Sequence, residues 1–378
     1  MIQFLTVLQL VLIIAVIIYL TVNIIYLVRL QPVIETIFNP PRVSICVPAR
    51  NEERGVGRCL QSLLNQDYPN FEVIAIDDHS TDHTGDIIQA LAKTNSRLKF
   101  LQGADLPYGW LGKPFALHQA FEAAQGEYLL FTDADTVFQP IALNTAVNVM
   151  RERELDVLTL MPKAEFGSFW EKAVQPVIFG FIASLTRFKN VNDPEHKSAM
   201  GFGAFLMFRR AAYEKIGGHE VGKADVLEDV FLAKRAKRAG LKLFVADAKQ
   251  LFSIRMYFGF REIWFGWEKN MFLAMKESIL RAVYNVSVVL GFVFTPYIIL
   301  AINIFEQNGW LWIGMALLGV ALVSASGYKT CDEMGLQRNN AIFFPLGALV
   351  MTAIMANSMF HVLVRKKTKW RGRVYPVK

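Results

Sequence analysis

Charge is missing from Met1 to Val28, and the stretch from Leu10 to Leu20 inside that segment is Leu, Ile and Val apart from one Ala and one Tyr. A cleaved leader opens with a basic region and closes on small residues, and neither is present. About 20 apolar residues in helical form reach across a hydrocarbon core, so the segment reads as a retained anchor. Its first flanking charge is Arg29, which by the positive-inside tendency puts the following chain on the cytoplasmic side and the N-terminus outside. Cysteine is scarce as well. Cys46, Cys59 and Cys331 form neither a paired pattern nor a metal-ligand spacing, which argues against a disulfide framework and fits reduced thiols. Nor do His79, His83, His118, His196 and His219 have zinc spacing, and they read as surface or loop residues. Internal repeats and low-complexity tracts are absent too.

What is abundant is apolar surface. Of 378 residues 53% are hydrophobic, and mean hydropathy is positive at +0.30, more than a soluble domain of that size needs. Ala282 to Phe305, Gln307 to Tyr328 and Asn339 to Val364 are three further stretches without Asp, Glu, Lys or Arg, and in succession they would overfill one soluble core. His361 falls inside the last of them, near its end, where it is expected to snorkel. The net charge of +7 arises from 40 Lys and Arg against 33 Asp and Glu, much of it in a tail of Arg365, Lys366, Lys367, Lys369, Arg371, Arg373 and Lys378. Beside a membrane helix such a cluster binds anionic headgroups. No recognised nucleic-acid-binding motif accompanies the charge, so a nucleic-acid partner is not expected. The expected layout is a transmembrane helix over 1–30, a cytoplasmic domain over 41–280, three membrane helices over 281–364 and a basic tail over 365–378. One conflict follows: three closing spans put the basic tail outside, so either one stretch is re-entrant or interfacial or the tail breaks the tendency.

The polar stretch from Pro41 to about Leu280 opens after Asn39-Pro40-Pro41, where proline blocks helix continuation. Val43 to Val47, Phe71 to Ile76, Leu98 to Leu101 and Tyr128 to Phe131 read as strands, while Arg54 to Leu64, Thr84 to Ala92 and Lys113 to Ala124 read as helices. Alternation of this kind predicts an α/β fold with a mainly parallel sheet covered on both faces. Ligands of such sheets bind beyond the carboxyl ends of the strands.

Polar motifs fall at those places. Pro48-Ala49-Arg50-Asn51-Glu52-Glu53 follows the first strand and Asp77-Asp78-His79-Ser80-Thr81-Asp82 the second. The two aspartates can accept hydrogen bonds from a base or a ribose, and turn and capping chemistry explains the same residues equally well. Asp133-Ala134-Asp135 follows the fourth strand, two acids that suit a hard divalent cation with a diphosphate ligand. Gly109-Trp110-Leu111-Gly112-Lys113-Pro114 places a lysine at a helix opening, where it can meet phosphate or simply be solvated. Gly201 and Gly203 allow close approach of a substrate to backbone. Glu228 and Asp229 open a basic helix and offer either a general base or acids complementing the helix dipole.

Together and in this order these motifs resemble glycosyltransferase family 2, over about Val43 to Asn270. The resemblance implies a nucleotide-diphospho-sugar transferase (GT-A type) fold and inversion at the anomeric carbon. By that likeness Pro48, Arg50, Glu52, Asp77 and Asp78 hold the nucleoside, Asp133 touches ribose and metal, Asp135 binds Mg2+ or Mn2+, Lys113 lies near the phosphates, and Asp229 deprotonates the acceptor. Processive members carry Gln-x-x-Arg-Trp after the base. Here Ile263-Trp264-Phe265-Gly266-Trp267 keeps only the tryptophan, which argues for one sugar per acceptor and against polymer synthesis. Arg255, Arg261 and Trp267, with Gly201 and Gly203, are assigned to the acceptor side.

The leading helix, the Gly-Trp-Leu-Gly-Lys-Pro motif and the closing helices look like the lipid-directed branch, which includes hopanoid- and carotenoid-associated and ceramide glucosyltransferases. That likeness implies a uridine-linked glucose donor, a membrane lipid acceptor and a bacterial-type plasma membrane, with the catalytic domain on the cytoplasmic side where nucleotide-sugars are made. Ala173 to Thr186, too short to span and interrupted by Pro176 and Gly180, reads as an interfacial helix, as does Tyr257 to Phe272 with its aromatics and charges. The competing readings are a processive polysaccharide synthase and a non-enzymatic transporter or scaffold with a nucleotide-sensing domain.

Overall fold

The computed structural model describes residues 1–376 apart from 36, 276, 366, 371 and 372. Of the basic tail, Lys366, Arg371 and Lys378 lie outside the described residues. The chain forms two compact units: a sheet unit of Tyr26–Glu165 with Arg187–Met256, and a helical unit of Met1–Ile25, Phe166–Thr186 and the chain from Tyr257 onward.

In chain order the strands of the sheet unit are β1 (Val28–Arg29), β2 (Val43–Ala49), β3 (Phe71–Asp77), β4 (Leu98–Gln102), β5 (Tyr128–Phe131), β6 (Thr136–Phe138), β7 (Val157–Met161), β8 (Lys163–Ala164), β9 (Leu206–Arg209), β10 (Leu243–Asp247) and β11 (Phe252–Ile254). Eight of them form one sheet in the order β1-β10-β7-β9-β5-β2-β3-β4, and β6-β11-β8 form a second, small one. In the large sheet β9 alone runs against its neighbours β5 and β7; the other pairs are parallel. The central strands are apolar on both faces because helices cover both sides. Val43, Ile45, Cys46, Val47, Val73, Ile74, Ala75 and Ile76 are all fully buried, and each large aliphatic among them contributes about 1.5–3 kcal/mol.

The covering helices are α2 (Val56–Leu64), α3 (Thr84–Thr94), α4 (Gly112–Ala123), α5 (Ala142–Glu152), α7 (Phe188–Asn192), α8 (Arg210–Lys215) and α9 (Glu228–Arg238), with α1 and α6 belonging to the helical unit. The sheet unit begins before Pro40-Pro41: Leu30 N–H donates to the Asp247 carbonyl at 2.9 Å, and Asn144 Nδ2 donates to the carbonyls of Val33 and Glu35 at 2.8 and 3.0 Å. Backbone hydrogen bonding draws these residues onto the sheet in spite of the prolines that follow.

The helical unit contains α1 (Ile2–Ile25), α6 (Phe169–Leu185), α10 (Phe260–Ala274), α11 (Ile279–Phe305), α12 (Trp310–Glu333) and α13 (Phe344–Phe360). Four helical segments, Ile2–Ile25, Ile279–Phe305, Trp310–Glu333 and Arg338–Val364, are long and apolar enough to cross a membrane. A polar contact joins the first two of them, Asn303 Nδ2 donating to Thr6 Oγ1 at 3.0 Å. Proline and glycine do not interrupt α6. It starts on a capping box between Ser168 and Glu171 and runs through Pro176, whose missing N–H sits inside a helix supported from outside. Gly347 on α13 faces the Ala173 carbonyl so closely that no Cβ would fit. At the other end of α6, Asn23 and Tyr19 donate to the carbonyls of Ala183, Thr186 and Ser184, acceptors that a helix terminus leaves over. Lys367–Trp370 and Arg373–Pro376 pair as two antiparallel strands.

Candidate active site

The motif loops found in the sequence leave the carboxyl end of a β-strand or open a helix, except that of Gly201 and Gly203, which enters β9. The loops after β2 and β3 are laced to each other. Asp78 N–H donates to the Ala49 carbonyl at 2.8 Å, Arg50 donates to the carbonyls of Asp78 and, at 2.9 Å, His79, and Asn51 and Glu52 N–H donate to Ser80 Oγ and Thr84 Oγ1 at 3.0 and 2.7 Å. Asn51 and His79 hold positive φ, of 52° and 55°, as the tight crossing of the two loops requires. Asp82 accepts from Thr84 N–H at 3.0 Å, so part of the second loop is capping chemistry. Asp77 and Asp78 are both buried, and Asp77 accepts from Ser80 N–H at 3.3 Å and Gln102 Nε2 at 3.4 Å. Pro48, next to last in β2, is partly exposed.

Two strands away, roughly 10 Å at the usual strand spacing, lies a denser cluster. Lys113, in the first turn of α4, places Nζ 2.6 Å from Asp133 Oδ1 and 2.8 Å from Glu228 Oε1. Asp229 completes the group: its Oδ2 accepts from Gly203 N–H and its Oδ1 from Val230 N–H, each at 2.7 Å. A Cβ on Gly203 would lie 2.9 Å from Lys113 Nζ, 3.3 Å from Asp133 Oδ2 and 3.4 Å from Asp229 Oδ2, so only glycine leaves the cluster undisturbed. Gly201 has another role from the one expected: the Asp229 backbone fills the space a side chain would need. Close packing against α9 explains that glycine.

Burial, then the charge of Glu228, push the Asp229 carboxyl up to about 7, against the pull of Lys113. Burial would lower the Lys113 ammonium, but Asp133, Glu228 and Asp229 outweigh it and hold it well above the ordinary lysine range. At neutral pH the cluster therefore carries a fixed cation beside a carboxylate that exchanges its proton readily.

Asp135 sits at the turn into β6, with its carbonyl accepting from Arg255 N–H at 3.3 Å. Among the described residues no three His, Cys, Asp or Glu side chains gather as a closed metal cage. Asp133 and Asp135 are hard oxygen donors separated by one residue, and Mg2+ and Mn2+ suit such sparse oxygen ligation, Mg2+ typically taking one or two carboxylates with waters and substrate phosphate. The donor set fits such a cation. Of the other expected residues, Gly201, Gly203 and Arg255 lie in the sheet unit, whereas Arg261, exposed, and Trp267, buried, lie on α10 of the helical unit.

His219 lies in a turn, as expected of a surface or loop residue, but it is not at the surface. It is 1% exposed, its Nδ1 lies 2.6 Å from Tyr213 Oη, and burial pushes its pKa down to about 3. The signal was available in Gly217-Gly218, both at positive φ, which turn the chain back so that His219 points inward.

Residues 44–217 match the family model described as Glycosyl transferase family 2. The chain is 26% identical over 237 residues to 4,4'-diaponeurosporenoate glycosyltransferase of Staphylococcus aureus (strain USA300), a match that spans 62% of either protein. It is 23% identical over 344 residues, 89% of either protein, to the enzyme of the same name from Staphylococcus haemolyticus (strain JCSC1435). In fold it is similar to a solved mannosyltransferase from Pyrobaculum calidifontis in complex with GDP-Man and Mn2+, with a TM-score of 0.56 and 17% identity over 97% of this chain and 100% of that one. The strand-end cluster thus lies in a segment that matches Glycosyl transferase family 2 and in the loops that follow it, within a fold similar to that of the solved mannosyltransferase.

Proposed function

We propose that the chain transfers one hexose from a nucleotide-diphosphate sugar to a hydroxyl or carboxyl of a membrane lipid, with inversion at the anomeric carbon. The observation that carries this reading is the Lys113 ammonium held between Asp133 and Glu228, at 2.6 and 2.8 Å, with Asp229 alongside. A fixed cation next to a base of matched proton affinity, about 10 Å from buried aspartates two strands away, has the reach to serve a diphosphate, a sugar and a nucleoside at once.

In this reading Asp77, Asp78, Pro48 and Glu52 face the nucleoside, and Arg50 acts by fixing their loops. Asp229 removes the proton from the acceptor hydroxyl; the oxygen attacks the anomeric carbon, the bond from that carbon to the diphosphate breaks, and the nucleoside diphosphate leaves. Backbone N–H groups on both carboxylate oxygens keep the base aimed, and a pKa near 7 suits general-base work at neutral pH. A carboxylate acceptor arrives ionised and needs only placement. Lys113 meets the negative charge growing on the leaving group. Asp133 and Asp135 would hold Mg2+ or Mn2+, which when bound neutralises diphosphate charge.

The lipid acceptor is supported by the printed name of the two Staphylococcus relatives and by the four apolar helices. A catalytic domain over 41–280 on the cytoplasmic side of a plasma membrane, with three closing spans and Gly203, Arg255, Arg261 and Trp267 toward the acceptor, belongs to the same proposal. Uridine and glucose are the first choice of donor by the family likeness, with guanosine and mannose next because the solved mannosyltransferase carries GDP-Man. Membranes containing the chain, given radiolabelled UDP-glucose and in parallel GDP-mannose, should yield a labelled lipid of one added sugar. A labelled polymer would instead favour a processive synthase, against which the missing Gln and Arg at 263–267 already count.

A further inference from the structure

A cavity of about 10 Å³ at the Lys113 cluster is lined by His219, Lys113, Glu228 and Asp229, with Phe131 and Leu206 among its apolar residues. A space of about this size holds one water, provided two to four polar partners surround it. The lining supplies them.

The proton positions on His219 follow from its surroundings. Tyr213 Oη accepts from the His219 backbone N–H at 2.9 Å and lies 2.6 Å from Nδ1. Burial pushes the tyrosine pKa upward, so the phenol keeps its hydrogen. Nδ1 is the acceptor within that hydrogen's reach, and a buried hydroxyl is expected to be satisfied. Burial keeps the imidazole uncharged. A neutral ring whose Nδ1 accepts must carry its proton on Nε2. The phenol therefore fixes one tautomer, leaving an N–H as the ring's remaining polar group where the ring borders the cavity.

We propose that His219 is a positioning residue for the acidic pair: its Nε2–H, through one water in this cavity, hydrogen-bonds the Glu228–Asp229 carboxylates. Asp229, whose two oxygens accept from Gly203 and Val230 N–H, then gains a further donor that holds its reacting oxygen when the acceptor arrives. The inference rests on the reading of Asp229 as the base.

The test uses the full chain in its own membranes with radiolabelled UDP-glucose, or with GDP-mannose where UDP-glucose gives no product. His219→Leu should lower kcat about tenfold with donor KM within about twofold of wild type, the signature of an interaction expressed in the chemical step. His219→Gln should return kcat to within about threefold, because the glutamine amide nitrogen reaches the place of Nε2, and His219→Asn should not, since its nitrogen reaches only the place of Nδ1. Should the leucine variant fail to fold, the glutamine and asparagine pair decides. Wild-type kcat in His219→Leu, or equal losses in the two amide variants, overturns the inference. Asp229→Asn measured alongside separates the two claims: if it is inactive while His219→Leu is unimpaired, the positioning role alone falls, and if it is active, both do.

Discussion

The Gly203 N–H donates to Asp229 Oδ2 across 2.7 Å, and so fastens the first turn of α9 to the loop that enters β9. Two segments far apart in sequence share one carboxylate. Backbone N–H groups donate to both oxygens of that carboxylate, contacts that a surface mutation does not easily disturb.

Replacing Asp229 by Asn keeps the shape and removes the base. Transfer should fall by at least about 10²-fold while donor KM stays within about twofold. Steady-state kinetics on both parameters check it, and a parallel rise in KM would count against a purely chemical role.

The two glycines should separate stability from activity. In Gly203→Ala the new Cβ meets the ends of Lys113, Asp133 and Asp229, which can shift, so melting should change little and activity fall strongly. In Gly201→Ala the Cβ meets the Asp229 backbone, which cannot. A cost of about 1–3 kcal/mol is expected, visible as a lower Tm.

Asp135→Asn should raise the Mn2+ or Mg2+ concentration for half-maximal activity by about tenfold or more and weaken donor binding with it, because the cation and the diphosphate share ligands. Titrating metal at fixed donor and donor at fixed metal reads both. Independent responses would remove Asp135 from the metal.

Acidity should act on rate and on stability in ways that can be told apart. kcat/KM should rise with pH through about 7 as Asp229 loses its proton. On stability two groups oppose each other. Asp229 is raised from 3.8 to about 7, so its contribution is present below about 4 and lost as pH rises to 7. His219 is lowered from 6.5 to about 3, so its contribution is present above about 6.5 and lost as pH falls toward 3. In the wild type the slopes largely cancel between about 4 and 6.5. In His219→Gln the Asp229 term stands uncovered, and stability should fall as pH rises from about 4 to 7, by about 1.4 kcal/mol per pH unit. Chemical denaturation across that range tests it.

Much of this was legible in the chain itself. The runs at Val43, Phe71, Leu98 and Tyr128 announced strands because apolar, β-branched stretches bounded by Pro, Gly and Asp have few other uses, and the acids beyond them had to lie at one sheet edge. The reversed direction of β9 was hidden, since strand orientation depends on the path of intervening chain and leaves no mark on a four-residue apolar run. His219 was missed because burial of a histidine depends on a turn and on the tyrosine six residues earlier, a relationship that spacing rules for metal ligands do not describe. Pro176 misled for a related reason: a helix packed along its length tolerates a lost hydrogen bond that an isolated one would not.

The short pairing of Val28 and Arg29 with Ala246 and Asp247 has a practical consequence. A truncated protein starting at Pro41, made to dispense with the lipid-seeking first helix, would bare the ladder groups of β10 and invite intermolecular strand addition. Starting instead at Tyr26 retains the cover, and of the two shortened chains, both of which keep the three closing apolar helices, it should be the one that remains monodisperse in detergent.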